Sequence, residues 1–169
     1  MRYIDKIKAF YPLEKWKDNK ILRAGGSLIT EFDDELAEFS EILMDLMWEY
    51  DWVGLAAPQL WRNINMVATT QRKKMPTSKN PEKDFIWETL LINPKILDKS
   101  KEMQRSEEAC LSIPGEQGFV RRHKRVIVSY QDIKWREREQ KYVGFNASVV
   151  QHEIDHLAWI LFTDKLIKD

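Results

Sequence analysis

The segment Gln151-His152-Glu153-Ile154-Asp155-His156 carries the sharpest chemistry in the chain. Histidines at i and i+4 share one face of a helix, so both rings can reach one ion. Glu153 sits one residue on, beside the water such an ion would activate, where it could take and return a proton. Taken alone, a His-Glu-x-x-His pattern fits an ordinary solvent-facing helix equally well. Catalytic metal sites usually have three protein ligands and one open position, so a third donor is needed. No His-x-x-Gly-x-x-His extension follows His156. The one soft donor is Cys110, in Glu107-Glu108-Ala109-Cys110-Leu111-Ser112. By itself a lone cysteine is more often a small buried apolar residue. Beside a metal it binds as the thiolate.

These groups need elements to hold them. The chain has 169 residues, which fits one domain over 1–169 with a core of ordinary size. A stripe of Phe32, Leu36, Phe39, Leu43, Leu46 and Met47 predicts a helix over 33–50, capped by Thr30 or Asp33. Strands are expected over 64–70, 90–97 (interrupted near Pro94), 126–130 and 140–143. A polar loop is expected over 71–84. The second strong helix is expected over 145–161, capped by Asn146. Helices flanking mostly sequential strands indicate an α+β fold.

Composition excludes several function classes. Lys+Arg and Asp+Glu are both 27, so the net charge is zero and direct nucleic-acid binding is not expected. No apolar run approaches the roughly 20 residues needed to span a bilayer. One cysteine and no secretory signal at the start favour a reducing, cytoplasmic compartment.

Three segments, VGLAAPQ (53–59), EACLS (108–112) and QHEIDHL (151–157), resemble in order and spacing the signature motifs of the peptide deformylases. The resemblance runs from Ile21 to Leu166. It implies mixed, mostly antiparallel sheets around a central helix bearing the His-Glu-x-x-His motif, with an N-terminal helix. It implies that Cys110, His152 and His156 bind one divalent metal: Fe²⁺ by family habit, with Zn²⁺, Ni²⁺ or Co²⁺ able to substitute. Glu153 would be general base and then acid. The Gln59 amide and the backbone N–H of Leu111 would stabilise the oxyanion. Gly54 would let the backbone approach a substrate lying alongside as an added strand. Val53, Phe145 and Val149 would wall a methionine side-chain pocket. The implied substrate is the N-formyl group of the initiator methionine on nascent polypeptides, met at the ribosome by a monomer.

The departures from the family form a pattern. Trp52, Trp61, Trp135 and Trp159 stand where the family has glycine, and the chain has 7 tryptophans against 6 glycines. One expectation is that UGA codons meaning glycine have been read as tryptophan; the other is true divergence. Ala109 also replaces a family glycine, and Gln117 replaces an arginine that meets substrate, a role Arg121 or Arg122 could take over. Two other readings stay open at this level. One is a different His-Glu-x-x-His peptidase. The other is a deformylase-like protein impaired by tryptophan at glycine positions.

Overall fold

Successive side chains of a strand point to opposite faces, and in the central strands here both faces are buried. Leu55, Met66, Ala68 and Ile92 share a core with Leu36, Phe39, Leu43 and Met47. Ala56, Val67, Leu91, Val126 and Val128 share a second core with Ala147, Val150 and Leu157. One sheet therefore lies between two helices.

The computed structural model describes residues 3–73 and 85–168. In chain order the elements are α1 (Tyr3–Phe10), α2 (Asp34–Glu49), β1 (Gly54–Ala56), a 3₁₀ turn (Ala57–Leu60), β2 (Met66–Arg72) and β3 (Phe85–Lys99). Then follow β4 (Met103–Cys110), β5 (Ile113–His123), β6 (Arg125–Gln131), β7 (Glu137–Val143), α3 (Phe145–Leu157) and a second 3₁₀ turn (Phe162–Lys165). Strands β1, β2, β3, β6 and β7 form an antiparallel sheet in that order, and β4 pairs with β5 as a separate hairpin. Leu22, Cys110, Ile113, Val120, Leu161 and Phe162 form a third core under the hairpin. Helix α3 touches both the sheet and β5, so it runs through the middle of an α+β fold. No helix among the described residues is long and apolar enough to cross a membrane.

Several expected boundaries shift for physical reasons. Asp33, not Thr30, caps α2: its carboxylate accepts from the Leu36 N–H at 2.8 Å. Strand β3 runs through Pro94 to Lys99, because the register shifts between Ile92 and Lys95 and the missing proline N–H falls there. The loop expected over 71–84 starts too early, since Gln71 and Arg72 belong to β2; residues 74–84 lie outside the described residues. Helix α3 stops at Leu157 rather than 161, where the backbone turns left-handed at residue 159. Asn146 does not cap it. Gly144 takes that place, and the Asn146 amide pairs both ways with the Arg72 backbone (3.0 and 2.7 Å), prolonging the β2 ladder.

Candidate metal centre

Burial alternates along β4, and its inward face ends on Glu108 and Cys110, two residues apart. That face meets His152 and His156, one turn apart on α3. Cys110, His152 and His156 are all buried, and one donor atom from each lies within 4.8 Å of the others. The Cys110 sulfur is 3.4 Å from His156 Nε2, and the two imidazoles stand edge to face with centroids 5.1 Å apart. This donor set fits a divalent metal: three groups of the preferred types converge, short of a full tetrahedral shell. Two buried polar atoms beside them, Glu153 Oε2 and His156 Nδ1, find no hydrogen-bond partner among the described residues.

One imidazole is held from behind. Glu108 Oε2 lies 2.9 Å from His152 Nδ1, which leaves Nε2 for an ion. Arg122 grips Glu108 with two bonds of 2.8 Å, from Nε and Nη2, and reaches Asp155 with Nη1. Lys165 closes the chain on Asp155 at 2.6 Å. Burial pushes the Glu108 carboxyl up, but the Arg122 and His152 hydrogen bonds outweigh it and hold the group down at about 2. Burial likewise opposes charge on His152, yet the neighbouring Cys110 sulfur and Glu108 carboxylate raise it well above the usual histidine range. His156, buried and facing His152, is pushed well below that range.

Glu153 is arranged differently. It is 2% exposed, and burial, partly offset by nearby His152, pushes it up to about 7. Gly54 explains how it fits, since a Cβ there would come within 2.5 Å of Glu153 Oε1. Approach to a substrate was the expected reason for that glycine; the structure adds a second, crowding by Glu153.

Gln59 lies on the 3₁₀ turn after β1. Its Oε1 accepts from the Ala56 N–H at 2.9 Å, so Nε2 must be the end facing Ser112 Oγ (3.0 Å) and Cys110 Sγ (3.6 Å). Leu111 opens the two-residue turn between β4 and β5, with its side chain partly buried against the main core. A cavity of about 270 Å³ opens beside His152 and Glu153, and Val53, Phe145, Val149 and Trp52 line it.

The sequence reading missed Glu108, Arg122, Asp155 and Ser112. The spacing of Glu108 two residues before Cys110 was a usable signal, because i and i+2 share a strand face. Arg121 or Arg122 was expected to be able to take over the role of the family's substrate arginine; Arg122 is 2% exposed and engaged with Glu108 and Asp155. Gln117 is exposed and sits opposite Ala109 in the hairpin.

Residues 11–169 match the family model described as polypeptide deformylase. Peptide deformylase 2 of Gloeobacter violaceus is 33% identical over 148 residues, covering 88% of this chain and 75% of that protein. The peptide deformylase of Thermotoga neapolitana is 37% identical over 147 residues, covering 86% and 81%. The Met-Ala-Ser-bound class I type b peptide deformylase from Acinetobacter baumannii superposes with a TM-score of 0.82 at 31% identity, covering 92% of this chain and 97% of that one.

Proposed function

The chain belongs to the polypeptide deformylase family, and on that premise we propose how its own residues carry the reaction. The family's reaction is hydrolysis of the formyl amide on nascent polypeptides, which releases formate. Cys110, His152 and His156 would hold one divalent ion, Fe²⁺ first, with Zn²⁺, Ni²⁺ or Co²⁺ as replacements. Three buried donors within 4.8 Å of one another support this. When bound, the ion supplies Lewis-acid chemistry, polarising the formyl carbonyl and making water more acidic.

The chain's own groups do the rest. Glu153 takes a proton from the water that attacks the formyl carbon. It returns a proton to the amide nitrogen as the C–N bond breaks, leaving formate and a free amino terminus. In the metal-free protein burial raises the Glu153 carboxyl, the direction that a group both taking and returning a proton near neutral pH needs. Negative charge develops on the former carbonyl oxygen. The Gln59 amide, oriented by Ala56, donates to it together with the backbone N–H of Leu111. Val53, Phe145 and Val149 would receive the methionine side chain in the cavity they line. Glu108 and Arg122 hold the His152 ring in place. We place the protein in the cytoplasm as a monomer acting on chains emerging from the ribosome.

One observation carries this reading. A thiol from a hairpin and two imidazoles from a helix converge beside a buried carboxylate that has an unpartnered oxygen. A different His-Glu-x-x-His peptidase is not favoured, since the family match covers 11–169. The test is to incubate the Fe²⁺- or Ni²⁺-loaded protein with formyl-Met-Ala-Ser, acetyl-Met-Ala-Ser and unblocked Met-Ala-Ser. Formate release from the first alone is expected. Cleavage of peptide bonds in the unblocked peptide, or no formate with metal bound, contradicts the assignment.

A further inference from the structure

Six non-glycine residues of the described chain have positive φ: Trp16 (78°), Asp51 (53°), Trp61 (67°), Asn93 (50°), Trp135 (56°) and Trp159 (66°). Asp and Asn tolerate this left-handed region because their short polar side chains bond locally. Tryptophan has no such excuse. Yet all four remaining positions are tryptophan, in a chain where only 7 of 169 residues are.

The local geometry at three of the four is that of a glycine motif. At the end of α3, the Ile160 N–H donates to Asp155 O (3.0 Å) and the Trp159 N–H faces His156 O (3.4 Å). This is the paired closure in which the left-handed residue is usually glycine. Trp61 is the left-handed cap of the 3₁₀ turn, with its N–H on Ala57 O. Between β6 and β7, the Trp135 N–H donates to Asp132 O (2.9 Å), and Asp132 Oδ1 accepts from the Lys134 and Arg136 N–H groups. Asp at the first place of such a turn calls for glycine at the fourth. Trp16 lies in the loop after α1, its N–H on Ser112 O.

At three of the four positions the side chain gives little reason for tryptophan. Trp16, Trp61 and Trp159 are 64%, 58% and 61% exposed. None of the four indole N–H groups has a partner among the described residues. Trp135 is the exception: it is half-buried against the main core and stands edge-on to Phe32 at 6.4 Å. The Trp159 ring covers Gly25 so closely that a Cβ there would overlap it. Trp48 is the contrast: in α2, its indole N–H donates to Glu88 at 3.2 Å.

From this we infer that residues 16, 61, 135 and 159 are glycine in the polypeptide its own cell makes, specified by UGA codons that the cell reads as glycine. Four separate mutations would each work against the backbone, whereas one misassigned codon accounts for all four. Glycine would rise from 6 to 10, nearer the roughly 12 expected at this length. The backbone sharpens the set derived from family resemblance. It adds Trp16, keeps Trp61, Trp135 and Trp159, and gives no support at Trp52, which is not left-handed. Two of the four positions matter for the site. Residue 61 closes the turn that carries Gln59, and residue 159 closes the helix that carries His156.

The gene's codons and the protein's own peptides test this together. UGA is expected at 16, 61, 135 and 159 and UGG at 48, with glycine at the four positions in peptides of protein isolated from its source. UGG at any of the four, or an indole mass there, overturns the inference. A second measurement uses the tryptophan-bearing protein. Trp61→Gly and Trp159→Gly are each expected to raise Tm by about 2–4 °C. Trp61→Ala and Trp159→Ala, which keep a Cβ, should give less than half of that, and Trp48→Gly should lower Tm. Glycine variants no more stable than the alanine ones would overturn the backbone argument.

Discussion

Glu108 and Glu153 flank the same imidazole, are nearly equally buried at 8% and 2% exposed, and are held in opposite ways. On the Glu108 side, Arg122, His152, Asp155 and Lys165 form an unbroken chain of charge-assisted hydrogen bonds, and the carboxyl sits at about 2. On the Glu153 side, one oxygen has no partner among the described residues and a glycine makes room, and the carboxyl rises to about 7. Burial pushes both groups up, so partners decide the outcome. On the proposed reading, the paired side builds the site and the bare side moves the protons.

The largest expected effect comes from removing the bare side. Glu153→Ala should cost about 10²–10⁴ in kcat and leave bound metal unchanged, measured by formate release alongside metal analysis. Loss of metal in that variant would break the division of roles. Gln59→Ala should cost about 10²–10³ in kcat, with KM little changed.

Arg122→Met attacks the paired side. It leaves Glu108 and Asp155 buried without their cation, and should destabilise the fold by roughly 3–5 kcal/mol in denaturant melts. Metal affinity should fall by about 10–100-fold, because Glu108, which orients His152, loses the guanidinium that holds it. A variant with normal metal affinity would mean that the Glu108 network is not what orients the ring.

The smallest effect separates the two carboxylates by pH in the metal-free protein. Glu108 is depressed from 4.5 to about 2, so its stabilisation is present above pH 4.5 and is lost as pH falls from there towards 2, on the order of 3 kcal/mol. Glu153 is raised from 4.5 to about 7, so the folded state holds its proton more tightly and stability should rise as pH falls from 7 towards 4.5. Melts from pH 8 to 2 should therefore pass through a maximum near 4.5–5 from these two groups. In Glu153→Ala the rise on the alkaline side should disappear while the acid loss remains.

The two sides also differed in how far the sequence revealed them. The i, i+4 histidines and the glutamate between them follow from helix period alone. Cys110 was the one soft donor on offer, but only the deformylase resemblance tied it to the histidines, since nothing local says that a strand from a separate hairpin meets α3. Arg122 looked available for substrate because charge on a strand reads as surface; burial of that face is a tertiary fact. The hairpin β4–β5 went unassigned because its outward residues are polar along most of its length. Asn146 looked like a cap by residue type, but β2 ends beside it and takes its amide. The tryptophans were legible as a composition anomaly, while the left-handed backbone that makes sense of four of them needed coordinates.

Metal stoichiometry in the protein purified without oxygen, compared with Cys110→Ala, tests the convergence of thiol and imidazoles most directly. One divalent ion per chain in the parent and essentially none in the variant is the expected result. An unchanged metal content in Cys110→Ala, or a parent that binds no divalent ion, would contradict it.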